Sequence, residues 1–261
     1  MTDHWTDALF VDDPELYVHH LQAREQVAKQ EVNSLETLLL ELGYKLPGLR
    51  LIDLGCGLGR HSCILAKRGV HVLGLDISRS FINIAKNKAK RQGLKTVSFQ
   101  VCDMRDLKKY FPIDKEIYNG VICLFSSFGY YDDQKNEKIL ESCHYLVRPG
   151  GFLVLDIMNK EWVENVALLD KETHLGEGSI YRYIRYDASR LSMTTIDHRG
   201  YQRKNEFRLD IQLWDINNLL DLFNQTNWYL GKIVLAKSLA TALDPVSYKE
   251  SRRIIAIMQK N

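Results

Sequence analysis

The sequence predicts an α/β protein with a doubly wound, seven-stranded sheet. Over residues 51–157, short apolar segments rich in β-branched residues alternate with amphipathic segments of helical period. This rhythm is typical of a parallel sheet whose two faces are covered by helices. After residue 158 the rhythm stops, and three strand-like segments follow with short turns between them, which favours antiparallel pairing. We therefore expect an antiparallel β insertion after the fifth strand.

The first elements of this pattern run from the N-terminal region to the fifth strand. Leucine and valine at mixed three- and four-residue steps predict one helix over residues 14–42, and Gly43 follows as its stop. Helices between the strands are expected over residues 59–68, 78–93 and 134–148, with Ser78 as the N-cap of the second. The strands themselves are expected over residues 51–54, 70–76, 97–103, 118–125 and 152–157.

The second half of the chain contains the insertion and the end of the sheet. Strands are expected in the insertion over residues 180–187, 191–196 and 206–213, and the last alternates apolar and polar residues cleanly. Asp215 caps a following helix, and two final strands over residues 229–236 and 253–258 close the sheet as a hairpin. We divide the chain into an N-terminal helical cap (1–48), an α/β core (49–158), the insertion (159–214), interpreted as a lid or dimer surface, and the C-terminal part of the α/β core (215–261).

The composition argues against several classes of function. The 261 residues include 35 basic and 33 acidic side chains, a net charge of +2, without the clustered positive charge that nucleic-acid binding requires. No apolar run approaches the ~18 residues of a membrane-spanning helix, and the polar, acidic start predicts that the chain has no signal peptide. The five cysteines have no CxxC spacing, which favours free buried thiols over disulfides or a metal site. We expect a cytoplasmic protein.

The strongest functional pattern is the segment from Asp53 to Gly59, where an apolar strand enters a loop with glycine at every second position. Gly55, Gly57 and Gly59 permit positive φ and the close approach of a ligand. The helix that starts at Arg60 offers unpaired N–H groups to polar or negative ligand atoms. Ligands of open parallel sheets bind at the carboxyl ends of the strands, so we expect a ligand site here.

Two nucleotide-binding patterns compete for this loop. A dinucleotide fingerprint requires G-x-G-x-x-G/A, in which a small third residue allows the helix to pack closely. Counted from Gly55, the third position is Arg60, so that pattern fails. Asp76, which follows Gly55 by 21 residues at the end of the next strand, could accept hydrogen bonds from ribose hydroxyls in either class. A nicotinamide-dependent oxidoreductase is therefore the weaker alternative.

The segment Asp-Leu-Gly-Cys-Gly-Leu-Gly (53–59) resembles the first motif of the class I S-adenosylmethionine-dependent methyltransferases. Further matches follow in order at 74–78, 102–104, 124–129 and 146–151. The resemblance implies a Rossmann-like sheet of methyltransferase type, with S-adenosylmethionine bound by the 49–158 core. To the cofactor site that it implies we add an aromatic residue of the N-terminal helix, which gives the set Tyr17, Asp53, Gly55, Cys56, Gly57, Asp76, Ile77, Asp103, Met104, Leu124 and Phe125.

The resemblance also implies roles within that site. Asp76 binds the ribose hydroxyls, Asp103 binds the adenine amino group, and Leu124–Phe125 border the methyl donor. Tyr17 either folds over the cofactor or fastens its helix to the core. Arg60 either meets a carboxylate of the cofactor or acceptor, or forms a surface ion pair, which is the favoured interpretation.

Several features are similar to a bacterial subgroup of small-molecule N- or O-methyltransferases. These are the early aromatic residues such as Trp5 and Phe10, the Gly59–His61 segment, the Phe128–Tyr131 segment and the strand-rich insertion. The chain has no Pro-Pro dipeptide after the fourth strand, which argues against methylation of the amino groups of nucleic-acid bases. We expect a small-molecule acceptor, no nucleic-acid or membrane partner, and a possible homodimer.

The residue pattern favours positioning over acid–base catalysis, because no paired carboxylates or His–Asp pair stand out at the strand ends. Tyr130 and Tyr131 are the candidate catalytic residues. With Phe125 and Phe128 they either stabilise positive charge by cation–π contact or pack in the core. A non-catalytic S-adenosylmethionine-binding protein, such as a sensor or partner subunit, is the main alternative, because the same motifs would serve it. Candidates for an acceptor pocket in the insertion are Tyr181, Tyr183, Tyr186, His198 and Tyr201.

Overall fold

The computed structural model describes residues 4–113, 115–167, 180–187, 190–197, 205–244 and 246–261. Its strands are β1 (Arg50–Leu54), β2 (His71–Asp76), β3 (Val97–Val101), β4 (Tyr118–Cys123), β5 (Val147–Met158), β6 (Ile180–Asp187), β7 (Arg190–Asp197), β8 (Asn205–Gln212), β9 (Tyr229–Ala236) and β10 (Arg253–Gln259). Its helices are α1 (Trp5–Asp7), α2 (Glu15–Ala23), α3 (Ala28–Glu41), α4 (Arg60–Lys67), α5 (Arg79–Arg91), α6 (Leu107–Tyr110), α7 (Asp133–Leu146), α8 (Lys160–Ala167) and α9 (Ile216–Gln225).

The main sheet has the strand order β3-β2-β1-β4-β5-β10-β9. The first five strands of that order run parallel, β10 pairs antiparallel with β5, and β9 pairs antiparallel with β10. The chain begins the sheet at β1, adds β2 and β3 on one side, and then adds β4 and β5 on the other. The direction of winding therefore reverses between β1 and β4, and the predicted doubly wound, seven-stranded sheet with a terminal hairpin is confirmed.

Helices cover both faces of this sheet with apolar side chains. On one face, Leu35 of α3 and Leu65 of α4 share an apolar cluster with Leu51 of β1. On the other face, Leu140 of α7 and Trp228 belong to the cluster that covers β4 and β5. The buried indole Nε1 of Trp228 donates a hydrogen bond to the Leu140 carbonyl at 3.1 Å. Burying one large apolar side chain contributes about 1.5–3 kcal/mol, so these layers hold the sheet and the site at its edge.

Side-chain caps start two helices where the sequence predicts them. The Ser78 hydroxyl accepts the Phe81 N–H at 3.3 Å at the start of α5. The Asp215 carboxylate accepts the Asn218 N–H at 2.9 Å at the start of α9. Such caps satisfy N–H groups that have no partner within the helix. The polar residue after each strand therefore fixes where the next helix begins.

The predicted single helix over residues 14–42 is wrong, because α2 and α3 are separate helices divided by the 3₁₀ turn Glu25–Val27. On α3, Glu31 is buried against Arg60 of α4. On α2, Tyr17 belongs to a different apolar cluster, which includes Leu58 of the glycine-rich segment. The break lets the two helices follow different surfaces of the core. Leucine and valine spacing continues through the turn, so the sequence does not mark it.

The insertion forms a separate antiparallel sheet in the order β6-β7-β8, which confirms its prediction. Leu209 and Ile211 of β8 share an apolar cluster with Phe10 from the start of the chain. Arg190 of β7 donates from Nη1 to the Tyr131 carbonyl at 3.1 Å, so the small sheet contacts the segment after β4. The side chains of Tyr181, Tyr183 and Tyr186, and the residues His198 and Tyr201, lie outside the part of the chain that the structure describes.

The cysteines are free and buried, as the sequence predicts. Burial raises the pKa of each thiol above its ordinary value. All of the thiols are therefore protonated at neutral pH, and the protonated form is a poor nucleophile. The five residues are Cys56, Cys63, Cys102, Cys123 and Cys143.

The described part of the chain has neither a membrane-spanning helix nor a cluster of metal-binding side chains. Within the ranges given above, no helix has the length and apolar character needed to cross a membrane. In the same part of the chain, no three or more His, Cys, Asp or Glu side chains lie together as a set that could hold a metal ion.

Candidate functional site

A cleft of about 840 Å³, including its mouth, lies at the carboxyl ends of β1, β2 and β4. It adjoins the point where the direction of winding reverses, which is where open α/β sheets bind their ligands. Its described walls come from the glycine loop, from the segments after β2, β3 and β4, and from the N-terminal residues. The lining residues are Thr6, Phe10, Tyr17, Leu21, Asp53, Leu54, Gly55, Cys56, Gly57, Leu58, Arg60, His61, Leu75, Asp76, Ile77, Phe81, Cys102, Met104, Leu124, Phe125, Ser127, Tyr130 and Tyr131.

The glycine loop has a backbone that other residues would strain. Gly55, Gly57 and Gly59 have φ of 72°, 54° and 71°. The Gly55 N–H donates to the Leu75 carbonyl at 2.8 Å, so the loop is attached to the end of β2. A Cβ at Gly55 would lie 2.6 Å from the Cβ of Ser127, much closer than such atoms approach. Glycine at this position therefore keeps the loop and the segment after β4 in contact.

Asp76 at the end of β2 connects the glycine loop to the cleft. Its carboxylate accepts the Gly57 N–H and the Ser78 N–H, each at 2.9 Å. Burial raises the pKa of Asp76 to about 6, although these two hydrogen bonds act to lower it. Each carboxylate oxygen can accept more than one hydrogen bond, so Asp76 can hold the loop and still accept hydroxyl groups from the cleft. Ile77 follows it and presents an apolar surface there.

Asp53 at the end of β1 fixes the other end of the loop. It is almost fully buried, and the Ser62 hydroxyl of α4 donates a hydrogen bond to its carboxylate. Burial raises the pKa of Asp53, against the lowering effects of His61 and Ser62. The contact joins the strand end to the first turn of α4, and the glycine loop lies between these two anchored points.

The segment after β3 brings Met104 and Cys102 to the cleft. The carboxylate of Asp103 accepts the backbone N–H of Arg105 at 2.8 Å and its Nε at 2.9 Å. Asp103 is absent from the described lining, whereas Cys102 and Met104 on either side of it line the cleft. The apolar Met104 is thus the residue of this segment that faces the cleft, and contact of Asp103 with adenine stays a prediction.

The loop after β4 has a strained backbone that a buried ion pair supports. Phe125 and Ser126 both have φ of 59°, a conformation that costs a non-glycine residue about 1–2 kcal/mol. The Phe125 N–H donates to Asp156 Oδ2 at 2.9 Å, and the Ser126 N–H donates to the Asp156 carbonyl at 2.8 Å. Arg253 Nε donates to Asp156 Oδ1 at 2.7 Å, and both side chains are buried. Strand β10, the last strand in chain order, therefore supports a wall of the cleft.

Three guanidinium groups lie near the ring of Phe125. The Cζ atoms of Arg60, Arg24 and Arg253 are 4.9, 5.1 and 6.0 Å from the ring centre. Such distances allow cation–π contact. Cation–π contact is one of the two interpretations of Phe125, and in the structure this contact is made with the protein's own arginines.

The expected surface ion pair of Arg60 is wrong, because Arg60 forms a buried ion pair. Its Nη1 donates to Glu31 of α3, and His61 Nε2 lies 2.8 Å from the same carboxylate. Burial alone would raise the pKa of Glu31, but the hydrogen bond and charge of His61 and the charges of Arg60 and Arg24 lower it to about 2. Arg60 and His61 also line the cleft. Sequence reasoning missed this His–carboxylate contact, because its partners are 30 residues apart on different helices.

Tyr130 and Tyr131 both line the cleft, where the sequence predicts catalytic candidates. Burial raises the pKa of Tyr130 well above its ordinary value and that of Tyr131 to about 12. Both hydroxyls are therefore protonated at neutral pH and can donate hydrogen bonds. Phe128 is different, because it is buried and stacks on Trp214 with ring centres 5.1 Å apart. Of its two interpretations, packing in the core is the one that the structure supports.

Residues 4–23 cover one side of the cleft, and we call them the N-terminal cover. The ring of Trp5 lies 4.9 Å from that of Tyr130, in an edge-to-face contact. The ring of Tyr17 lies 5.5 Å from that of Phe10, and both residues line the cleft. Tyr17 also shares an apolar cluster with Leu58 and Phe81 of the core, which supports the interpretation that it fastens its helix, and contact with the cofactor stays a prediction.

Ten of the eleven predicted cofactor residues line the cleft, and Asp103 is the exception. Of the other lining residues, Tyr130 and Tyr131 were predicted as catalytic candidates, and Leu58 and Ser127 lie within the recognised motifs at 53–59 and 124–129 but were not singled out. Phe10 had one available signal, namely its place in a series of early aromatic residues. Thr6, Leu21 and Phe81 lie outside the motifs, so tertiary contacts are needed to find them.

Comparison with known proteins decides the family. A sequence model described as a methyltransferase domain matches residues 45–214. The chain belongs to the methyltransferase family. A ubiquinone biosynthesis O-methyltransferase of Coxiella burnetii is 31% identical over 131 residues, which cover 50% of this chain and 53% of that protein. A glycine N-methyltransferase of Mus musculus is 30% identical over 125 residues, 44% of this chain and 42% of that one. The chain spans about half the length of the curated relatives it matches.

Solved methyltransferases share the fold. An S-adenosylmethionine-dependent methyltransferase from Clostridium acetobutylicum superposes with a TM-score of 0.74 at 16% identity, covering 89% of this chain and 92% of that one. The CcbJ methyltransferase of Streptomyces caelestis gives a TM-score of 0.71 at 16% identity, covering 88% and 89%. At this identity the likeness shows the fold alone. Together with the matched domain, it places the chain among the class I S-adenosylmethionine-dependent methyltransferases.

The cleft of this methyltransferase fits the cofactor of its family. Gly55 and Gly57 line the cleft without side chains, so a ligand in that space can approach the backbone of the glycine loop closely. Asp76 is a hydrogen-bond acceptor of the kind that ribose hydroxyls require, and it borders that space. Ile77 and Met104 are apolar surfaces suited to a base. The residues present are therefore those that S-adenosylmethionine needs: an acceptor for its sugar, close backbone for its amino acid part, and apolar sides for its adenine.

Proposed function

We propose that the protein transfers the methyl group of S-adenosylmethionine to a nitrogen or oxygen atom of a small molecule in the cytoplasm. The observation that carries this proposal is the cleft at the reversal point, where the glycine loop, Asp76, Tyr130 and Tyr131 line one space. The first two are the family's means of binding its cofactor. The two tyrosines stand at the segment after β4, where an acceptor would have to approach.

When it is bound, S-adenosylmethionine supplies a methyl group activated by a sulfonium, which is the chemically demanding part of the reaction. The chain itself then has to bind, orient and exclude water. Gly55 and Gly57 admit the ligand close to the backbone, and Asp76 orients its sugar. Holding two reactants in line contributes up to about 7–11 kcal/mol in favourable cases, so positioning alone can account for most of the acceleration.

On the acceptor side of the cleft, the two tyrosines can act as hydrogen-bond donors but not as bases. Tyr130 and Tyr131 keep their protons at neutral pH, because burial raises both pKa values. Their hydroxyls can therefore donate to an oxygen or nitrogen of the acceptor and fix its orientation. For the two tyrosines, this supports the expectation of positioning over acid–base catalysis. The matched relatives are named as an O- and an N-methyltransferase, which supports keeping both kinds of acceptor atom in the proposal.

The first experiment is calorimetric titration of the purified protein with S-adenosylmethionine. We expect a micromolar Kd, about −8 kcal/mol, that weakens at least tenfold in Asp76→Ala. Asp106→Asn is the matched control, because this exposed acid is close in sequence to the cleft and absent from its described lining. NADH should not bind. Absence of S-adenosylmethionine binding by the unaltered protein would overturn the proposal.

A transfer assay separates this proposal from a non-catalytic binding protein. The protein is incubated with methyl-labelled S-adenosylmethionine and fractionated small-molecule extract, and label is followed into new compounds. We expect labelled product that is lost in Asp76→Ala. Tight cofactor binding without transfer to any fraction would favour the sensor or partner-subunit alternative. The possible homodimer and the role of residues 159–214 as a lid or dimer surface stay predictions, which measurement of the mass in solution would begin to test.

A further inference from the structure

Arg105 contacts three groups that belong to different parts of the molecule. Its backbone N–H and Nε donate to Asp103, which follows β3. Its Nη2 lies 3.8 Å from Oδ1 of Asp7, in the N-terminal cover. Its Cζ lies 4.6 Å from the ring centre of Tyr131, which follows β4. One guanidinium group thus joins the adenosine side of the cleft, the acceptor side and the cover.

The cover meets the cleft wall at the same place. The ring of His4 lies 4.8 Å from that of Tyr131, and the Tyr131 hydroxyl is hydrogen-bonded to Thr6. Trp5 packs edge-to-face on Tyr130. These contacts are aromatic or neutral, whereas the Asp7–Arg105 pair adds charge attraction at their edge. Because Thr6 itself lines the cleft, the position of this end of the cover decides how closed the cleft is.

The arrangement makes Arg105 dependent on both of its acids. Asp103 holds the guanidinium in one orientation, because Nε and Nη2 both donate to its carboxylate, at 2.9 and 2.5 Å. In that orientation the same Nη2 lies 3.8 Å from Oδ1 of Asp7. The Asp7 side chain is about one-tenth exposed and that of Arg105 about three-tenths, so the pair is partly shielded from water. A charge pair of this kind contributes more than a fully exposed one, and its effect is confined to the place where the cover touches the core.

We propose that Arg105 is a positioning residue that holds the N-terminal cover closed over bound cofactor by binding Asp103 and Asp7 at once. Cutting this bridge speeds the release of cofactor. The inference rests on the proposed function, since it requires the cleft to bind S-adenosylmethionine or its product. It assigns Arg105 no contact with the reacting atoms. Its effect is on the rate at which the cleft opens.

The test measures release of S-adenosylhomocysteine, the stable product of the reaction. Trp5 fluorescence reports the cover in stopped-flow displacement, and Trp5→Phe identifies its share of the signal. The variants are Asp7→Asn, Arg105→Met and the double variant. Lys135→Met is the matched control, because it cuts an exposed ion pair with Asp132 near the same wall. We expect Asp7→Asn to raise the release rate about two- to fivefold, the size for a partly exposed ion pair, and Arg105→Met to raise it at least as much.

The double variant distinguishes positioning from general loosening. If both residues act through one bridge, Asp7→Asn has no further effect on release once Arg105→Met is present, and the melting temperatures stay close to that of the unaltered protein. Arg105→Lys, which keeps the charge, should recover part of the slow release. Equal acceleration by Asp7→Asn in both backgrounds, or an unchanged release rate in Arg105→Met, overturns the inference while leaving the proposed function intact. If the unaltered protein binds neither S-adenosylmethionine nor its product, both are overturned. If Arg105→Met does not fold, Asp7→Asn and Arg105→Lys still decide the outcome.

Discussion

Replacing Arg253 by methionine would leave the Asp156 carboxylate buried without its counter-ion. Asp156 is 3% exposed and Arg253 is 7% exposed, and the variant loses both the Nε bond to the carboxylate and the Nη2 bond to the Asp156 carbonyl at 2.9 Å. Breaking one side of a buried ion pair costs about 3–5 kcal/mol. At about 2–4 °C of melting temperature per kcal/mol for a chain near this size, we expect a drop of about 6–20 °C.

The assay is urea unfolding followed by circular dichroism, together with thermal melting. Lys232→Met is the matched control. Lys232 lies on the neighbouring strand β9 and forms an exposed ion pair with Glu41 of α3, so the loss of this pair should lower the free energy of unfolding by less than about 1 kcal/mol. Hydrogen exchange gives a second measurement. The amides of Phe125 and Ser126 bond to Asp156, so they should lose protection in Arg253→Met and keep it in the control.

Three results would refute this reasoning. Arg253→Met could lose no more stability than Lys232→Met, which would mean that the carboxylate finds water or another partner. It could lose stability while the amide of Phe125 keeps its protection, which would mean that the loop holds its positive φ without Asp156. It could also bind S-adenosylmethionine with unchanged affinity, and the support of the cleft wall by β10 would then have no functional effect.

Three further predictions follow from other parts of the cleft. Gly55→Ala places a methyl group 2.6 Å from the Cβ of Ser127, at a position whose φ is 72°. Calorimetry should therefore show a cofactor affinity at least tenfold lower, a loss of about 1.4 kcal/mol of binding free energy. Unchanged affinity would contradict the role of the loop. Because the pKa of Asp76 is about 6 and its ionised form accepts the sugar hydroxyls, affinity should rise about tenfold from pH 5 to pH 7, and Asp76→Asn should flatten that profile. Replacing residues 176–204 by a short loop should abolish acceptor turnover and spare cofactor binding, so surviving turnover would exclude the lid.

The raised pKa of Asp76 also predicts how stability depends on pH, and this dependence is opposite in sign to that of cofactor affinity. Its folded-state pKa of about 6 is raised above the ordinary value of 3.8, so between these values the folded state binds more protons than the unfolded state. The contribution of Asp76 to the free energy of unfolding is therefore largest below about pH 4 and is lost as the pH rises through 6. Comparing the pH dependence of unfolding in the unaltered protein and in Asp76→Asn isolates this contribution, because the variant lacks the titration.

Local patterns account for what the sequence could predict. The strands of the main sheet are short apolar runs, and the caps Ser78 and Asp215 mark helix starts within single turns of chain. The glycine loop and Asp76 are adjacent to strand ends, so the topology of a parallel sheet brings them to one edge. Once the order of strands and helices is predicted correctly, residues at the carboxyl ends of the strands can be assigned to one site. Most of the cofactor residues were found in this way, from motifs at strand ends.

Contacts between distant elements account for what the sequence could not predict. Arg60 reads as a solvated residue at a helix start, and nothing local indicates that Glu31 will be buried beside it. The turn at Glu25–Val27 has neither proline nor glycine, so it has no local signal. Glu31 and Arg60 are partners that only the tertiary structure brings together. The pairing of Asp103 with Arg105 is local by contrast, since the two residues are two positions apart, and the motif gives no sign of it.

The shielded state of the native thiols makes the molecule suited to site-specific labelling. All five are buried and protonated at neutral pH, so a maleimide reagent has no ready target among them. A single cysteine introduced at Val11, which is 48% exposed on the N-terminal cover, would then be the reactive position without removal of any native residue. A fluorophore attached there could follow the movement of the cover in a single molecule, with the core that surrounds the natural cysteines left as it is.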